Sequence, residues 1–195
     1  MTEFCLAAAI LVASAAAPTA TSIPQSKNAA GAPETFSARA HVGTDAANAD
    51  VYLTIRVEKY TPEKEREAVL KALQAGGSAA FLDALRKSPV AGQLDTGKQT
   101  FPIRWARDTR DEKGGRVITL VTDKPVYFVG AGVPGAKPRA GYDVAVIQLK
   151  MDPAGVGQGT MAAAARVKPG EPEGVQVDDY GSEPVKLMSV TRRIQ

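Results

Sequence analysis

The sequence predicts an α+β domain that is mainly β, an antiparallel β-sandwich or barrel-like domain with an inserted αα-hairpin. Three observations support this class. Several segments alternate apolar and polar residues at a period of two, as half-buried strands do. These segments are short and are separated by turns rich in glycine, proline and aspartate, which is typical of sandwiches and small barrels. Only residues 61–89 carry apolar residues plainly at the helical period.

Residues 62–88 are predicted to form the hairpin. Thr61 is a suitable N-cap, and Pro62 follows at the first helical position, where its missing N–H costs nothing. Gly76 and Gly77 are expected to end the first helix, because glycine readily adopts the left-handed C-cap conformation. Each helix is too short to be stable alone, so its apolar side must rest on the sheet. We therefore expect a packing element that plugs one end of the β core, with a lid or a docking surface as the alternative.

The remainder of the domain is predicted to be strands. They are expected at residues 36–42, 51–60, 99–106, 116–122, 126–129, 142–151, 175–180 and 185–190. Within the third of these, alternation places Phe101, Ile103 and Trp105 on one face. Residues 160–168 are ambiguous, since their alanines favour a helix whereas their position between two turns favours a returning strand.

The N-terminal residues predict export. Residues 1–20 contain an apolar run that ends in small residues, as a secretory signal peptide does, although no Lys or Arg precedes the run. Residues 21–35 are rich in Ala, Pro, Ser and Thr and are expected to be a disordered leader. Residues 36–195 then form a single domain. The mature protein is expected in the periplasm or outside the cell, with no transmembrane span.

Composition excludes several kinds of site. Cleavage of the signal peptide removes Cys5, the only cysteine, so the mature chain would have no disulfide and no thiol nucleophile. The arginines around Trp105 are interrupted by Asp108, Asp111 and Glu112. Because nucleic-acid binding needs a concentrated basic field, this mixed-charge segment predicts no nucleic-acid partner.

No cofactor or metal site is predicted. Residues 130–135 match G-x-G-x-x-G, but Pro134 and Pro138 exclude the helix that a dinucleotide site requires. Asp178 and Asp179 form the densest carboxylate pair, yet neighbouring strand residues point to opposite faces and cannot chelate one ion together.

No catalytic residue is predicted either. His41 is the only histidine, and the chain lacks the G-x-S-x-G elbow that would supply an activated serine. Carboxylates from distant strands can still combine in a hydrolase, and Glu58 and Asp143 are the candidates within predicted strands.

Three blocks of the sequence carry a resemblance. They are EKEREAVLKAL with FLDALRKSP, then GGRVITLVTDKPVYF with YDVAVIQLKMDPAGVGQGTM, and finally VQVDDYGSEPVKLMSV. Together and in this order they resemble a group of secreted bacterial proteins that are uncharacterised. The resemblance covers most of residues 51–190 and implies an exported domain. No activity is attached to that group, so the resemblance implies no site residues.

These observations favour a non-enzymatic, exported envelope protein that binds a partner protein or a small apolar ligand. The candidate ligand or lid contacts are Phe81, Leu85 and Trp105, because a helical hairpin can cover the mouth of a cavity in a barrel or sandwich. Two alternatives stay open. One is a secreted hydrolase that uses carboxylates or His41, and the other is a self-associating scaffold module that pairs through an exposed edge strand.

Overall fold

A computed structural model describes residues 33–44, 47–111, 114–127, 139–170, 174–181 and 183–194. Within these residues the chain forms nine strands and one helix. In chain order they are β1 (Glu34–Thr44), β2 (Ala47–Val57), α1 (Glu63–Lys87), β3 (Gly92–Asp95), β4 (Thr100–Arg110), β5 (Arg116–Thr122), β6 (Val144–Met151), β7 (Val156–Gly170), β8 (Gly174–Tyr180) and β9 (Val185–Ile194).

The strands close into an antiparallel barrel. Each strand from β1 to β7 pairs with the next, and β9 pairs with both β7 and β1. This ring contains eight strands, whereas β8 pairs with β7 alone among the described strands. The mainly-β prediction is confirmed, and of the two predicted architectures the structure has the barrel and not the sandwich.

The barrel interior is filled by side chains. All eight strands of the ring contribute to one cluster of buried residues, which we call the barrel core. Phe36, Ile55, Ile103 and Ile147 are among its large members, and each is 0% exposed. An eight-stranded barrel is just wide enough for side chains to fill it. The interior therefore acts as a rigid scaffold.

Helix α1 covers the outside of the barrel. It connects β2 to β3 and contacts β7 and β4. Its apolar residues join side chains from the outer faces of β4 to β8 in a second buried group, which we call the outer cluster. Its members are Val69, Leu70, Leu73, Phe81, Leu82, Leu85, Trp105, Val121, Val144, Val146, Ala162, Ala165, Val167 and Val175. The sequence predicted that this segment plugs one end of the β core. In the structure the helix instead covers the side of the barrel.

The structure does not show the hairpin predicted at residues 62–88, since it has one continuous helix over Glu63–Lys87 that is kinked at Gly77. Gly77 alone departs from helical geometry, with φ 64° and ψ −156°, so no turn of several residues separates two helices. Thr61 is not the N-cap either. Pro62 occupies that position and makes no side-chain capping bond.

A bulge in β4 explains where Trp105 lies. The register between β4 and β5 shifts between Ile103 and Trp105, which gives β4 one extra residue, Arg104. Ile103 and Ala106 both lie in the barrel core, whereas Trp105 belongs to the outer cluster. The expectation that Trp105 shares a face with Phe101 and Ile103 is therefore wrong, because a bulge redirects the side chains that follow it.

The residues that flank α1 on both sides form hydrogen bonds with β4 at or next to this bulge. The Thr61 N–H donates to the Ala106 carbonyl at 2.9 Å, and the Thr61 hydroxyl accepts the Ala106 N–H at 2.9 Å. Near the other end, Arg104 Nη1 donates to the Ser88 carbonyl at 3.0 Å. A straight helix of 25 residues would span about 37 Å, whereas Arg104 and Ala106 are only about 7 Å apart along a strand. The helix must therefore bend sharply, and Gly77 is its non-helical residue.

The structure also bears on the remaining predictions about strands and about the N-terminal region. Residues 160–168 lie within β7, which settles their ambiguity in favour of a strand. The four-residue strand β3 was not predicted. Strand β1 begins at Glu34, inside the predicted leader, while the predicted signal peptide and residues 21–32 lie outside the described residues. No helix formed by the described residues is long and apolar enough to cross a membrane.

Replacing Gly77 tests the bend. A Cβ at this position would meet no atom within 4 Å, so Gly77→Ala adds only conformational strain at a backbone geometry that favours glycine. We expect the free energy of unfolding to fall by about 1–3 kcal/mol, measured by urea denaturation. Gln74→Ala changes an exposed residue of α1 shortly before the bend, and it should leave the free energy of unfolding within about 0.5 kcal/mol of wild type. Equal stability of the two variants would contradict the bend.

Candidate functional site

The three residues predicted to contact a ligand or lid come together in the outer cluster. Phe81 and Leu85 lie on α1, Trp105 lies on the β4 bulge, and all three are 0% exposed. The bulge turns Trp105 outward, and the bonds from Thr61 and Arg104 hold α1 over it. Their role as ligand contacts stays a prediction, because their burial alone is equally compatible with packing.

Trp105 has one feature that packing does not explain. Its Nε1–H is buried and has no hydrogen-bond acceptor among the described residues. A buried donor without a partner costs about 1–3 kcal/mol, and buried tryptophan N–H groups usually find an acceptor. The indole is therefore an unused polar group within an apolar surrounding.

Apolar side chains from the barrel and from α1 pack around Trp105. On the barrel side the outer cluster contains short side chains such as Ala162 and Ala165, and on the helix side it contains Phe81, Leu82 and Leu85. Small-molecule sites in proteins commonly combine apolar walls with very few oriented polar groups. The Trp105 region has this composition, and α1 forms its outer wall.

A second cluster closes one end of the barrel, and we call it the barrel-end cluster. It consists of Glu34, Tyr60, Asp108, Arg116 and Arg192. Arg116 donates from Nη1 and Nη2 to the two Glu34 carboxylate oxygens, each at 2.9 Å, and from Nε to Asp108 at 3.1 and 3.2 Å. Arg192 Nη1 donates to Glu34 at 3.1 Å, and the Tyr60 hydroxyl donates to Glu34 at 2.5 Å. This is a bidentate, charge-assisted network.

The network shifts the ionisation of its members. Burial acts to raise the pKa of Glu34, but hydrogen bonds from Arg116 and Tyr60 and the charges of Arg116 and Arg192 outweigh it, so the pKa lies below its ordinary value. Burial and the hydrogen bond to Glu34 raise the pKa of Tyr60. The hydrogen bond to Glu34 is the largest of the effects that raise the pKa of Arg116. Glu34 is thus an anion whose charge the folded protein stabilises.

The barrel-end cluster has a structural role. Glu34 continues the alternation of Phe36, Ala38 and Ala40, which are buried in the barrel core, so its carboxylate lies at the end of that core. A recess of about 200 Å³ beside it is lined by Arg110, Arg116, Asp152 and Arg192, among others. Because donors and acceptors of the cluster largely satisfy one another, it closes the barrel end with charges instead of apolar side chains.

Sequence reasoning missed this cluster. Its members come from β1, the segment after β2, β4, β5 and β9, and no local pattern links them. Glu34 was assigned to the leader, so the first carboxylate of the network was excluded from the domain. The one available signal was the alternation of Glu34 with Phe36, which extends β1 by two residues.

The residues of the hydrolase alternative do not form a constellation in the described structure. His41 Nδ1 lies 3.0 Å from Asp50 Oδ1, and both side chains are exposed. Within the described ranges, no hydrogen bond or ion pair connects His41 with Glu58 or Asp143. The hydrolase stays a prediction without a site.

The acidic pair considered for metal binding is occupied by other partners. Asp178 forms ion pairs with Arg166 and Lys168 at 3.2 and 3.3 Å. Asp179 pairs with Arg166 at 3.3 Å and accepts the Tyr142 hydroxyl. In the part of the chain that the structure describes, no group of three or more His, Cys, Asp or Glu residues is placed to hold a metal ion. The G-x-G-x-x-G match at residues 130–135 lies outside the described residues.

No protein-family model matches the chain, and comparison with curated proteins and with solved structures finds no match. The resemblance to secreted bacterial proteins therefore stays a prediction.

Glu34→Gln tests the barrel-end cluster. Removing one partner of a buried ion pair leaves the other charge uncompensated, so near neutral pH we expect the free energy of unfolding to fall by about 3–5 kcal/mol. The ordinary pKa is 4.5 and the folded-state pKa lies below it. The stability that ionised Glu34 contributes is therefore complete above the ordinary value and lost as the pH falls through the folded-state value.

The difference between wild type and Glu34→Gln should accordingly shrink as urea denaturation is repeated from neutral pH down to about pH 3. Glu58→Gln changes an exposed carboxylate and provides the matched control, with little effect at any pH. A stability difference that stays constant through the acidic range would contradict the assigned role of Glu34.

Proposed function

We propose that the protein is an exported, non-enzymatic binding protein that holds a small, largely apolar ligand between α1 and the outer face of the barrel. The observation that carries the proposal is the buried Trp105 N–H, which has no acceptor among the described residues. A ligand with one hydrogen-bond acceptor would accept a hydrogen bond from this N–H. Its apolar part would replace contacts within the outer cluster.

The barrel interior does not favour the same ligand. Its large side chains, including Phe36, Leu53, Ile118 and Leu120, are at most 1% exposed. A ligand there would have to displace a packed core, which is costly. The helix-covered side of the barrel is the alternative, since one of its walls is a single helix and not a closed ring of strands.

Access requires α1 to move. The helix is bonded to β4 near both ends, through Thr61 and through Ser88, and the bend at Gly77 lies between these attachments. We infer that α1 acts as a hairpin-shaped lid, with the part around Gly77 lifting while both ends stay attached. The free energy of opening would lower the apparent affinity for the ligand.

The single tryptophan makes the site directly observable, because Trp105 gives the only indole N–H signal in a ¹H–¹⁵N NMR spectrum. Cyclohexanone supplies an apolar ring with one acceptor, and methylenecyclohexane has a similar shape without one. We expect cyclohexanone to shift the indole signal downfield and to bind about fivefold more tightly than methylenecyclohexane, which corresponds to about 1 kcal/mol for one hydrogen bond.

Trp105→Phe keeps an aromatic ring and removes the N–H, so it should abolish the preference for the ketone. Its binding is followed through the backbone amide signals of α1, and Tyr180→Phe, an exposed change, is the matched control. Equal affinity of wild type for the two probes, or no response of α1 to either, would refute the proposed site. Native mass spectrometry of the chain exported through its own signal would reveal a resident ligand as an extra mass lost on denaturation.

A further inference from the structure

A groove of about 300 Å³ lies on another part of the barrel's outer surface, where β1 pairs with β2 and β9. It is lined by Ser37, Ala38, Arg39, Tyr52 and Ser189. None of these residues belongs to the outer cluster beneath α1. The groove is therefore independent of the site proposed for the apolar ligand.

A bulge in β9 shapes this groove. The register between β1 and β9 shifts between Ser37 and Arg39, and β9 has one extra residue there. Leu187 and Val190 both lie in the barrel core, which leaves Ser189 as the additional outward residue. Ser189 has φ 52°, the one positive value among non-glycine residues in the described ranges. Such a backbone geometry costs free energy and is concentrated at functional sites.

Arg39 supplies an unused donor at the same place. Its Nε is buried and has no hydrogen-bond partner among the described residues, although Nη1 lies 3.6 Å from Asp50 Oδ2. Asp50 thus holds the outer part of the guanidinium, and Arg39 lines the groove with its Nε shielded from solvent. A guanidinium N–H binds most strongly to an ionised oxygen acceptor.

Tyr52 adds an apolar surface to this donor. It is directly opposite Arg39 in the β1–β2 pairing, so the two side chains are neighbours on the outer face. Tyr52 is 76% exposed, the most exposed large apolar side chain in the described part of the chain. A ring of this kind has a free face on which a planar group can stack.

The charges nearby favour an anion. Lys186 is opposite His41 in the β1–β9 pairing, next to the Arg39 position, and it is exposed. At the paired positions next to Arg39 in the described structure, two cations, Arg39 and Lys186, stand beside one carboxylate, Asp50. An anionic ligand is therefore attracted to the groove, whereas a cationic ligand is not.

We propose that this groove binds a carboxylate attached to a planar apolar group, as in an aromatic acid. The carboxylate accepts from Arg39 Nε and from the Ser189 hydroxyl, and the planar group lies against Tyr52. A volume of about 300 Å³ is at the lower end of the range for small-molecule sites, which suits a ligand with one ring. The same chemistry could be presented by a free acid or by the C-terminal phenylalanine of another protein.

The test uses the full chain and three probes. Benzoate has the carboxylate and the ring, benzamide has the ring without the charge, and the tripeptide Ala-Ala-Phe presents a carboxylate at a chain end. In ¹H–¹⁵N NMR titrations we expect benzoate to shift the Arg39 Nε–H and the Ser189 amide, and to bind at least about tenfold more tightly than benzamide. Tighter binding of the tripeptide than of benzoate would identify a chain terminus as the source, and the reverse would identify a free acid.

Two variants separate this site from general attraction to positive charge. Arg39→Lys keeps the charge and removes Nε, so benzoate binding should weaken about tenfold, while Arg56→Lys, an exposed change on the same strand, should have no effect. Ser189→Gly keeps the left-handed backbone without strain and removes the hydroxyl. It should fold at least as well as wild type by thermal denaturation and should weaken benzoate binding several-fold.

The proposal would be overturned if benzamide bound as well as benzoate, or if Arg39→Lys bound benzoate like wild type. It would also be overturned if the responses at other arginines equalled the response at Arg39, since benzoate would then be binding only by charge.

Discussion

The bulge in β4 is the feature on which the arrangement outside the barrel depends. One extra residue, Arg104, breaks the alternation of the strand and sends Trp105 outward. The same irregularity makes the N–H and carbonyl of Ala106 available to Thr61, and it places Arg104 within reach of Ser88. Without it, Trp105 would share a face with Phe101 and Ile103 inside the barrel, and α1 would lose the bonds near both of its ends.

The two sides of the sheet satisfy their polar groups to different degrees. Inside, the barrel core ends in the Glu34 and Arg116 network, where donors and acceptors pair closely. Outside, the side-chain nitrogens Trp105 Nε1 and Arg39 Nε are buried without a partner among the described residues. Both lie next to a register shift, one in β4 and one in β9. A bulge moves a side chain away from the position that regular pairing gives it, which is consistent with an unsatisfied donor at each of these two places.

The sequence predicted those parts of the structure that local patterns determine. The alternation of Val51, Leu53, Ile55 and Val57 predicted β2, because every second side chain of a regular strand lies on the same face of the sheet. The same rule failed for Trp105, since a bulge leaves no local mark in the sequence. Strand β3 has only four residues, too few for a periodic pattern. The glycines at 76 and 77 correctly indicated a break in helical geometry, but not that it would involve a single residue.

The candidate sites were predictable to a smaller extent. Phe81, Leu85 and Trp105, the candidate ligand or lid contacts, lie in one cluster. The arginine groove could not be predicted, because it depends on the pairing of β1 with β9 at the far end of the chain and on the left-handed backbone of Ser189. Sites that arise from long-range pairing and local strain are the ones that periodicity does not reveal.

The connection between β2 and β3 leaves and rejoins the sheet at almost the same point. The amides of Glu58 and Lys59 both donate to the carbonyl of Ala91, at 2.9 and 3.2 Å. The long excursion through α1 therefore ends where a tight hairpin turn would have ended. In terms of chain connectivity, α1 is an insertion into an up-and-down meander, and the barrel's strand order and closure do not require it. The entropic cost of closing a loop rises only slowly with the length of the loop. The barrel can therefore accommodate a covering helix at this position with only a small loss in its free energy of folding.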